Sequence, residues 1–149
     1  MAEIKKESIV SCFEEIEKLA GRNYEEAKFY DYFGEMRIDK KKYAALEENG
    51  NLCFFAFRNA AGELVGYAFY LLMPSMLSKA LIAENGAFYL IPEERKGFAA
   101  NKLLFGIEKE LKACGVDVLI HRSRIEYDVS PLFLRAGFTL QEKVFVKNL

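Results

Sequence analysis

The segment from Phe88 to Leu104 carries residue types that suit the binding of an anion. An apolar stretch is followed by a short charged turn, and the turn leads into an amphipathic stretch typical of a helix. The first amides of a helix have no partner inside it, and the helix dipole adds about half a positive charge at that end. We therefore predict an anion site formed by Arg95, Lys96, Gly97, Phe98, Ala99 and Ala100.

A tight turn without any ligand is the alternative explanation, because one glycine in a loop is a weak signal. The segment has no Gly-Lys-Ser or Gly-Lys-Thr sequence, which argues against a P-loop nucleotide-binding protein. No acidic residue follows at the spacing that binds a ribose, which argues against a site for NAD. The expected place of the turn, at the carboxyl end of a parallel strand, favours a ligand.

Three consecutive elements are expected to position this turn. We predict a strand from Gly86 to Ile91, a helix from Ala99 to Ala113, and a strand from Val116 to His121 that is buried on both faces. A strand, a helix and a strand at this spacing form a right-handed βαβ unit with parallel strands.

Helices and an antiparallel hairpin are expected before this unit. The predicted helices are Ser8 to Leu19, stopped by Gly21, and a helix capped by Asp39 that runs through Leu46, with an aromatic helix or irregular segment from Tyr24 to Phe33. The predicted hairpin pairs Leu52 to Arg58 with Leu64 to Leu72. The remaining predictions are a helical turn from Ser75 to Ala80, a short helix from Ser130 to Ala136, and a terminal strand or hairpin through Lys147.

The composition sets limits on the class of protein. A chain of 149 residues is expected to form one domain, residues 1–149. A net charge of -1 gives no field that recruits nucleic acid or an anionic membrane, so neither partner is expected. One histidine and three widely spaced cysteines predict free thiols and no metal site. With no signal peptide and no membrane span expected, the predicted location is the cytoplasm.

The turn resembles the cofactor motif of the GNAT (GCN5-related) N-acetyltransferases, in which Arg/Gln-x-x-Gly-x-Gly/Ala follows an apolar strand. Pro92 and Arg95 take the proline and arginine places, and Leu103 and Leu104 the paired apolar positions of the helix. In this register Phe98 stands where glycine is usual, and Ala100 takes the permitted alanine. In the alternative register Gly97 is the central glycine and Glu94 stands in the Arg/Gln place.

A second block, Leu132 to Phe138, is similar to the late helix and Gly-Phe ending of the same family, and Val65-Gly66 to its earlier strand start. The resemblance extends from about Leu52 to the end, and the pattern is closest to GNAT-like proteins of phages and bacteria whose substrates are mostly unassigned. It implies an α+β (α/β) fold: a mixed central sheet with an antiparallel N-terminal hairpin, a βαβ cofactor unit with two splayed parallel strands, and flanking helices.

The resemblance also implies a donor, acetyl-CoA, and direct attack by an amine acceptor that is a small molecule or a peptide. The loop amides would hold the pyrophosphate, and the pantetheine arm would lie between Phe88 to Ile91 and Val118 to His121. The cofactor residues that it adds to the loop are Tyr89, Leu90, Ile91 and Phe133. A strand amide near Leu90 would stabilise the oxyanion.

The resemblance defines the general acid and the general base less well than the cofactor site. Phe133 occupies the place of a tyrosine that many family members use to protonate the leaving thiolate, so Tyr127 or solvent would act instead. Glu84 is the nearest candidate base, although Asn85 occupies the best-aligned position. His121 is a candidate base or cofactor ligand, or a buried histidine with a structural role. A weak base favours an acceptor of low pKa such as an α-amine.

Two other functional readings remain open from the sequence. The same fold could bind acetyl-CoA or a protein without catalysis, which Phe133, Asn85 and the reduced glycine pattern favour. A small α/β ligand-binding domain outside the family is possible if the loop binds nothing. Either a monomer or a homodimer is compatible with the sequence.

Overall fold

The computed structural model describes residues 1–149, apart from the side chain of Tyr30. These residues form a mixed five-stranded sheet of order β1-β2-β3-β4-β5. Its strands are β1 (Glu3–Lys5), β2 (Leu52–Arg58), β3 (Leu64–Pro74), β4 (Leu81–Leu90) and β5 (Val118–Ile120). The first four pair antiparallel, and β5 runs parallel to β4, which confirms the predicted mixed sheet.

Five α-helices flank the sheet in the described part of the chain. They are α1 (Phe13–Glu26), α2 (Tyr30–Phe33), α3 (Lys40–Glu48), α4 (Ala99–Ala113) and α5 (Ser130–Arg135). A 3-10 turn, Pro92–Glu94, lies between β4 and α4. None of these helices is long and apolar enough to cross a membrane.

Two apolar layers hold the helices against the sheet. Helix α4 lies on one face, where its stripe of Ala99, Leu103, Ile107 and Leu111 meets side chains of β2, β3 and β4. Helices α1 and α3 cover the other face through residues that include Ile16 and Leu46. Each fully buried aliphatic side chain contributes about 1.5–3 kcal/mol to the stability of the fold. The turn that follows β4 is therefore held between a fixed strand and a firmly packed helix.

The strongest sequence patterns gave correct elements. Strand β2 and helix α4 have the predicted bounds. Asp39 caps α3, since its Oδ1 accepts from the Lys41 amide at 3.0 Å. The antiparallel pairing of β2 with β3 is also confirmed.

The predicted bounds of the first helix, Ser8 to Leu19, are wrong, because α1 spans Phe13–Glu26. It begins at Phe13, because residues before it form turns in which the Ser8 carbonyl accepts from Ser11. It continues through Gly21 to Glu26, since packing of the apolar face outweighs the roughly 1 kcal/mol cost of a glycine inside a helix.

The bounds of the later strands also differ from the predictions. Strand β4 begins at Leu81 and not at Gly86. The prediction missed its first residues because the polar Glu84 and Asn85 interrupt the apolar pattern. Strand β5 is shorter than predicted, and Val118 is 43% exposed because β5 is an edge strand of the described sheet. β1 has only three residues, too few to give a strand pattern in the sequence.

Two further segments lack the predicted structure. The connection from residue 75 to 80 consists of bends without a helical turn, held by the Ser75 amide on the Ala80 carbonyl. Residues 138–149, all within the described chain, contain no strand, and Leu140, Val144 and Phe145 are exposed there. Their apolar character predicted a strand, but they do not pack on the sheet.

Candidate active site

The pairing of β4 with β5 ends at Glu84 and Ile120, and we call the region between the second half of β4 and the chain from His121 onward the cleft. The two strands pair only at Ile82 with Val118, Ala83 with Leu119 and Glu84 with Ile120. Beyond that point β4 continues to Leu90, paired with β3 alone. The predicted flank Val118 to His121 is therefore corrected: residues 118–120 are paired to the first half of β4, and the cleft begins at His121.

A bulge in β4 lies at the point of separation. Tyr70 of β3 faces Asn85 and its neighbour Phe69 faces Ala87, so Gly86 is the extra residue. A Cβ at Gly86 would lie 1.8 Å from the Phe69 ring, so any other residue there would force that ring to move. Asn85 Oδ1 accepts from the Arg122 amide at 2.9 Å. A side-chain oxygen thus replaces the backbone acceptor at the point where the parallel pairing ends.

The second half of β4 offers backbone groups to the cleft. The Ile91 amide donates to the Val65 carbonyl at 2.9 Å, so it faces β3. Because direction alternates along a strand, the amide of Tyr89 also faces β3, whereas those of Phe88 and Leu90 face the cleft. Among the three predicted cofactor residues of this strand, Leu90 therefore presents its N–H to the cleft.

The loop after β4 leads into the first turn of α4, where several backbone N–H groups have no acceptor among the described residues. Gly97 has φ +57°, and an added Cβ there would meet nothing within 4 Å. Phe98 precedes α4 without a side-chain cap and is 76% exposed. Within the described structure, no oxygen accepts from the backbone N–H groups of Gly97, Phe98, Ala100 and Asn101. Those four donors and the helix dipole suit an anion, and the exposed Lys96 lies beside them.

Arg95 points inward from this loop. Its Nε donates to the Leu90 carbonyl at 2.6 Å, and its Nη2 to Glu26 Oε2 at 2.8 Å. Its Nη1 donates to the Tyr127 hydroxyl. The guanidinium thus joins the end of β4 to the last turn of α1, and the donors of the loop that remain without a partner are backbone amides.

The rings of Tyr127 and Tyr89 each lie 5.4 Å from the Arg95 carbon Cζ, within the range of a cation–π contact. The Tyr89 hydroxyl donates to Glu26 Oε1 at 2.7 Å. Burial raises the pKa of both phenols, so both are protonated at neutral pH. Tyr127 is therefore a hydroxyl held in place by Arg95.

His121 lies in an aromatic surrounding at the start of the cleft. Its Nε2 is 3.1 Å from the Tyr70 hydroxyl, and its ring centre is 4.5 Å from that of Phe133. Phe88 and Phe138 complete the surrounding. Burial lowers the pKa of His121 to about 4, so the ring is neutral at pH 7.

Glu84 lies in the middle of β4 and not at a strand start as expected. It is paired with Leu71 on one side and Ile120 on the other. Its carboxylate forms an ion pair with Arg122 at 2.5 Å. The carboxylate is therefore occupied by the arginine and is not free at the end of the strand pairing.

The predicted aromatic segment contacts the chain that follows β5 through Arg124. The Arg124 guanidinium stacks over Phe29 at 4.6 Å and over Tyr32 at 5.7 Å, and its Nη2 donates to the Lys28 carbonyl. The side chain of Tyr30, which the sequence grouped with them, lies outside the described residues.

A surface cavity of about 420 Å³ lies between α4 and α5. Its lining residues are Asn101, Lys102, Phe105, Glu108, Arg135 and Ala136. The lining carries two cations, one carboxylate and one aromatic ring, and through Asn101 the cavity adjoins the N-terminal turn of α4.

Three contact residues of this site were not found from the sequence. Glu26 gave no signal because it lies 63 residues from Tyr89 and 69 from Arg95. Tyr70 lies in the apolar run of β3, and the sequence predicted it only as a strand residue. Asn85 was noted only as a departure from a motif, whereas the structure gives it a contact with the Arg122 amide.

Comparison with known proteins identifies the fold. No family model matches the chain, and no curated protein matches it in sequence. A predicted acetyltransferase of Clostridium acetobutylicum, solved with acetyl-CoA, is similar in structure at a TM-score of 0.76 and 14% identity, with 99% of this chain and 96% of that chain covered. A ribosomal-protein-alanine N-acetyltransferase of Brucella melitensis is similar at 0.76 and 15%, with 100% and 99% covered. An acetyltransferase of Trypanosoma brucei is similar at 0.74 and 14%, and both chains are fully covered.

Proposed function

We propose that this chain, which has the fold of the GNAT acetyltransferases, transfers an acetyl group from acetyl-CoA to an amine. The observation that carries the proposal is the coincidence of two features at one end of the sheet. One is the cleft beyond Glu84, and the other is the set of unpaired amides that begins at Gly97. A thioester donor with a pyrophosphate needs both a slot and an anion site.

The donor would be held by groups that have no partner within the chain. The amides of Gly97, Phe98, Ala100 and Asn101 would bind the pyrophosphate, with Lys96 beside them. Lys102 and Arg135 in the adjoining cavity would bind further phosphate. The acetyl-CoA named for the Clostridium acetobutylicum structure supports this donor by analogy.

The reaction would be direct transfer in a ternary complex. The amine nitrogen bonds to the acetyl carbon, the carbon–sulfur bond breaks with its electron pair on sulfur, and the proton lost by nitrogen balances the one gained by the thiol. The Leu90 N–H, which faces the cleft, would stabilise the oxyanion. Tyr127 or solvent would supply a proton, because Phe133 has none to give.

The acceptor would be an amine that is easily deprotonated. Glu84 is occupied by Arg122, and burial lowers the pKa of His121 to about 4, which makes its imidazole a weak base. Freeing a lysine-type amine of pKa about 10.4 costs roughly 4–5 kcal/mol at pH 7, whereas an α-amine near 7.7–8.0 costs little more than 1. A peptide N-terminus or a small α-amine is therefore the favoured acceptor. Three free cysteines suit a reducing compartment, and the cytoplasm is the proposed location.

The test combines acetyl-CoA calorimetry with release of free CoA over a panel of primary amines. We expect Gly97→Glu to remove binding, because it places a carboxylate among the amides that would hold the pyrophosphate. Gly62→Glu is the matched control, since Gly62 also has a positive φ and open space but lies in the β2–β3 turn. Equal affinity of both variants would show that the loop does not bind the donor.

A non-catalytic acetyl-CoA-binding module is the second candidate, favoured by the absence of a hydroxyl at Phe133. It predicts binding with no CoA release above the rate without acceptor. Sustained release with an α-amine would exclude it.

A further inference from the structure

The imidazole of His121 has one nitrogen in use and one without a partner. Its Nε2 contacts the Tyr70 hydroxyl at 3.1 Å. Its Nδ1 is buried, and no atom of the described residues forms a hydrogen bond with it. A buried polar atom of this kind is uncommon in folded proteins and calls for a physical explanation.

The hydroxyl of Tyr70 decides which nitrogen carries the proton. Tyr70 is fully buried, and among the described residues its hydroxyl contacts His121 alone. A buried O–H needs an acceptor, and only a deprotonated Nε2 can accept here. Because the ring is neutral at pH 7, its one proton must then be on Nδ1.

The position of His121 places this Nδ1–H next to the point where β4 and β5 separate. The residue directly follows Ile120, where the two strands separate and the cleft begins. Its ring lies against Phe133, which has no hydroxyl to donate. A protonated Nδ1 is thus a buried hydrogen-bond donor without a partner, next to the point where the two strands separate.

We propose that His121 donates a hydrogen bond from Nδ1 to the sulfur end of the bound CoA, and that Tyr70 is the positioning residue that fixes the required tautomer. This proposal rests on the proposed function. His121 keeps its proton throughout, so it stabilises charge on sulfur and transfers nothing. Nδ1 is covered by rings in the free protein, so the contact requires one ring to move. Among the rings named here, Phe138, 5.2 Å away, is the one outside any helix or strand, and we expect it to be the ring that moves.

The tautomer can be measured without any ligand. Because the chain has one histidine, the imidazole ¹⁵N spectrum contains a single residue. We expect the Nδ1–H form in the wild type and a shift toward the Nε2–H form in Tyr70→Phe. Tyr127→Phe, which removes a hydroxyl that contacts Arg95, is the control and should leave the spectrum unchanged. An Nε2–H form in the wild type would overturn the role of Tyr70.

The sulfur contact can be measured by calorimetry with CoA and with desulfo-CoA. A hydrogen bond to sulfur should make the wild type prefer CoA by roughly threefold to tenfold. His121→Asn keeps an amide donor near the place of Nδ1 and should retain most of this preference. His121→Gln, whose amide lies near the place of Nε2, and His121→Phe, which keeps an aromatic ring, should lose it. Their affinity for desulfo-CoA should match that of the wild type.

The outcomes separate this proposal from the proposed function. Equal affinity of the wild type for the two ligands would overturn the sulfur contact and leave donor binding intact. Failure of both ligands to bind would overturn the proposed function, and the contact with it. Loss of desulfo-CoA binding in His121→Phe would overturn the contact, because the histidine would then support the cleft as a whole.

Discussion

At the scale of single residues, Arg95 illustrates how a functional motif can acquire a structural task. The sequence placed its charge beside the anion loop, but its guanidinium contacts the Leu90 carbonyl, Glu26 and Tyr127. The sequence could predict the residue and its loop. It could not predict the direction of the side chain, because the partner Glu26 is distant in the chain.

Replacing Arg95 should cost stability. In Arg95→Ala we expect a loss of about 2 kcal/mol in the free energy of unfolding, because Glu26 and the Leu90 carbonyl lose a charged donor. Urea unfolding measures this change. Arg37→Ala is the control, since the pair of Arg37 with Glu35 is 87% and 88% exposed and should contribute under about 0.5 kcal/mol. Equal effects of the two variants would contradict the inward role of Arg95.

The pH dependence of stability should report the burial of His121. Its pKa falls from 6.5 to about 4 on folding, so below pH 6.5 the unfolded state binds a proton that the folded state does not. Stability from this group is therefore complete above pH 6.5 and decreases toward pH 4, by about 3 kcal/mol.

Comparison with His121→Phe isolates this contribution. The difference in unfolding free energy between wild type and variant, followed from pH 7.5 to 4 as rough limits of the range, should change by about that amount. A constant difference across the range would show that His121 titrates normally in the folded protein.

At the scale of elements, the sequence was most reliable where one pattern dominated. The apolar stripe of α4 and the continuous apolar run of β2 gave correct bounds. The start of β4 was missed because Glu84 and Asn85 are polar residues in a strand. They are polar because each contacts the chain at the point where β5 diverges, Glu84 through the Arg122 side chain and Asn85 through the Arg122 amide. The apolar pattern thus failed to predict the start of β4 at the place where the candidate site lies.

The bulge at Gly86 should be sensitive to size. A Cβ there would lie 1.8 Å from the Phe69 ring, so Gly86→Val should destabilise the protein by about 1–3 kcal/mol and weaken donor binding. Gly21→Ala is the control, because an added methyl group meets nothing within 4 Å on α1. That variant should gain about 0.5–1 kcal/mol. Thermal unfolding of both variants measures these changes, and a neutral Gly86→Val would contradict the close packing of the bulge.

At the scale of the whole molecule, the candidate site draws on parts of the chain that are far apart in sequence. The cleft has β4 on one side and the chain after β5 on the other, while α1 reaches it through Glu26. The strand-loop-helix order predicted the loop and the start of α4 from the sequence. The contacts that α1 and α2 make with this region are tertiary, and no local pattern predicts them.

Hydrogen exchange should outline the bound donor. With acetyl-CoA present, we expect slower exchange at the amides of Leu90, Gly97, Phe98, Ala100 and Asn101, because these donors are free in the protein alone. Amides of β1, on the far edge of the sheet, should be unaffected. A uniform slowing across the molecule would indicate global stabilisation by binding elsewhere.

The three contacts of Arg95 also bear on how this chain can vary over evolutionary time. A lysine at this position would carry one nitrogen and could not reach the Leu90 carbonyl, Glu26 and Tyr127 together, as the planar guanidinium does. A change at Glu26 or Tyr127 would in turn leave part of the arginine without a partner. Viable descendants of this sequence should therefore alter these three positions jointly, whereas the loop amides, being backbone groups, permit substitution of Phe98 or Ala100.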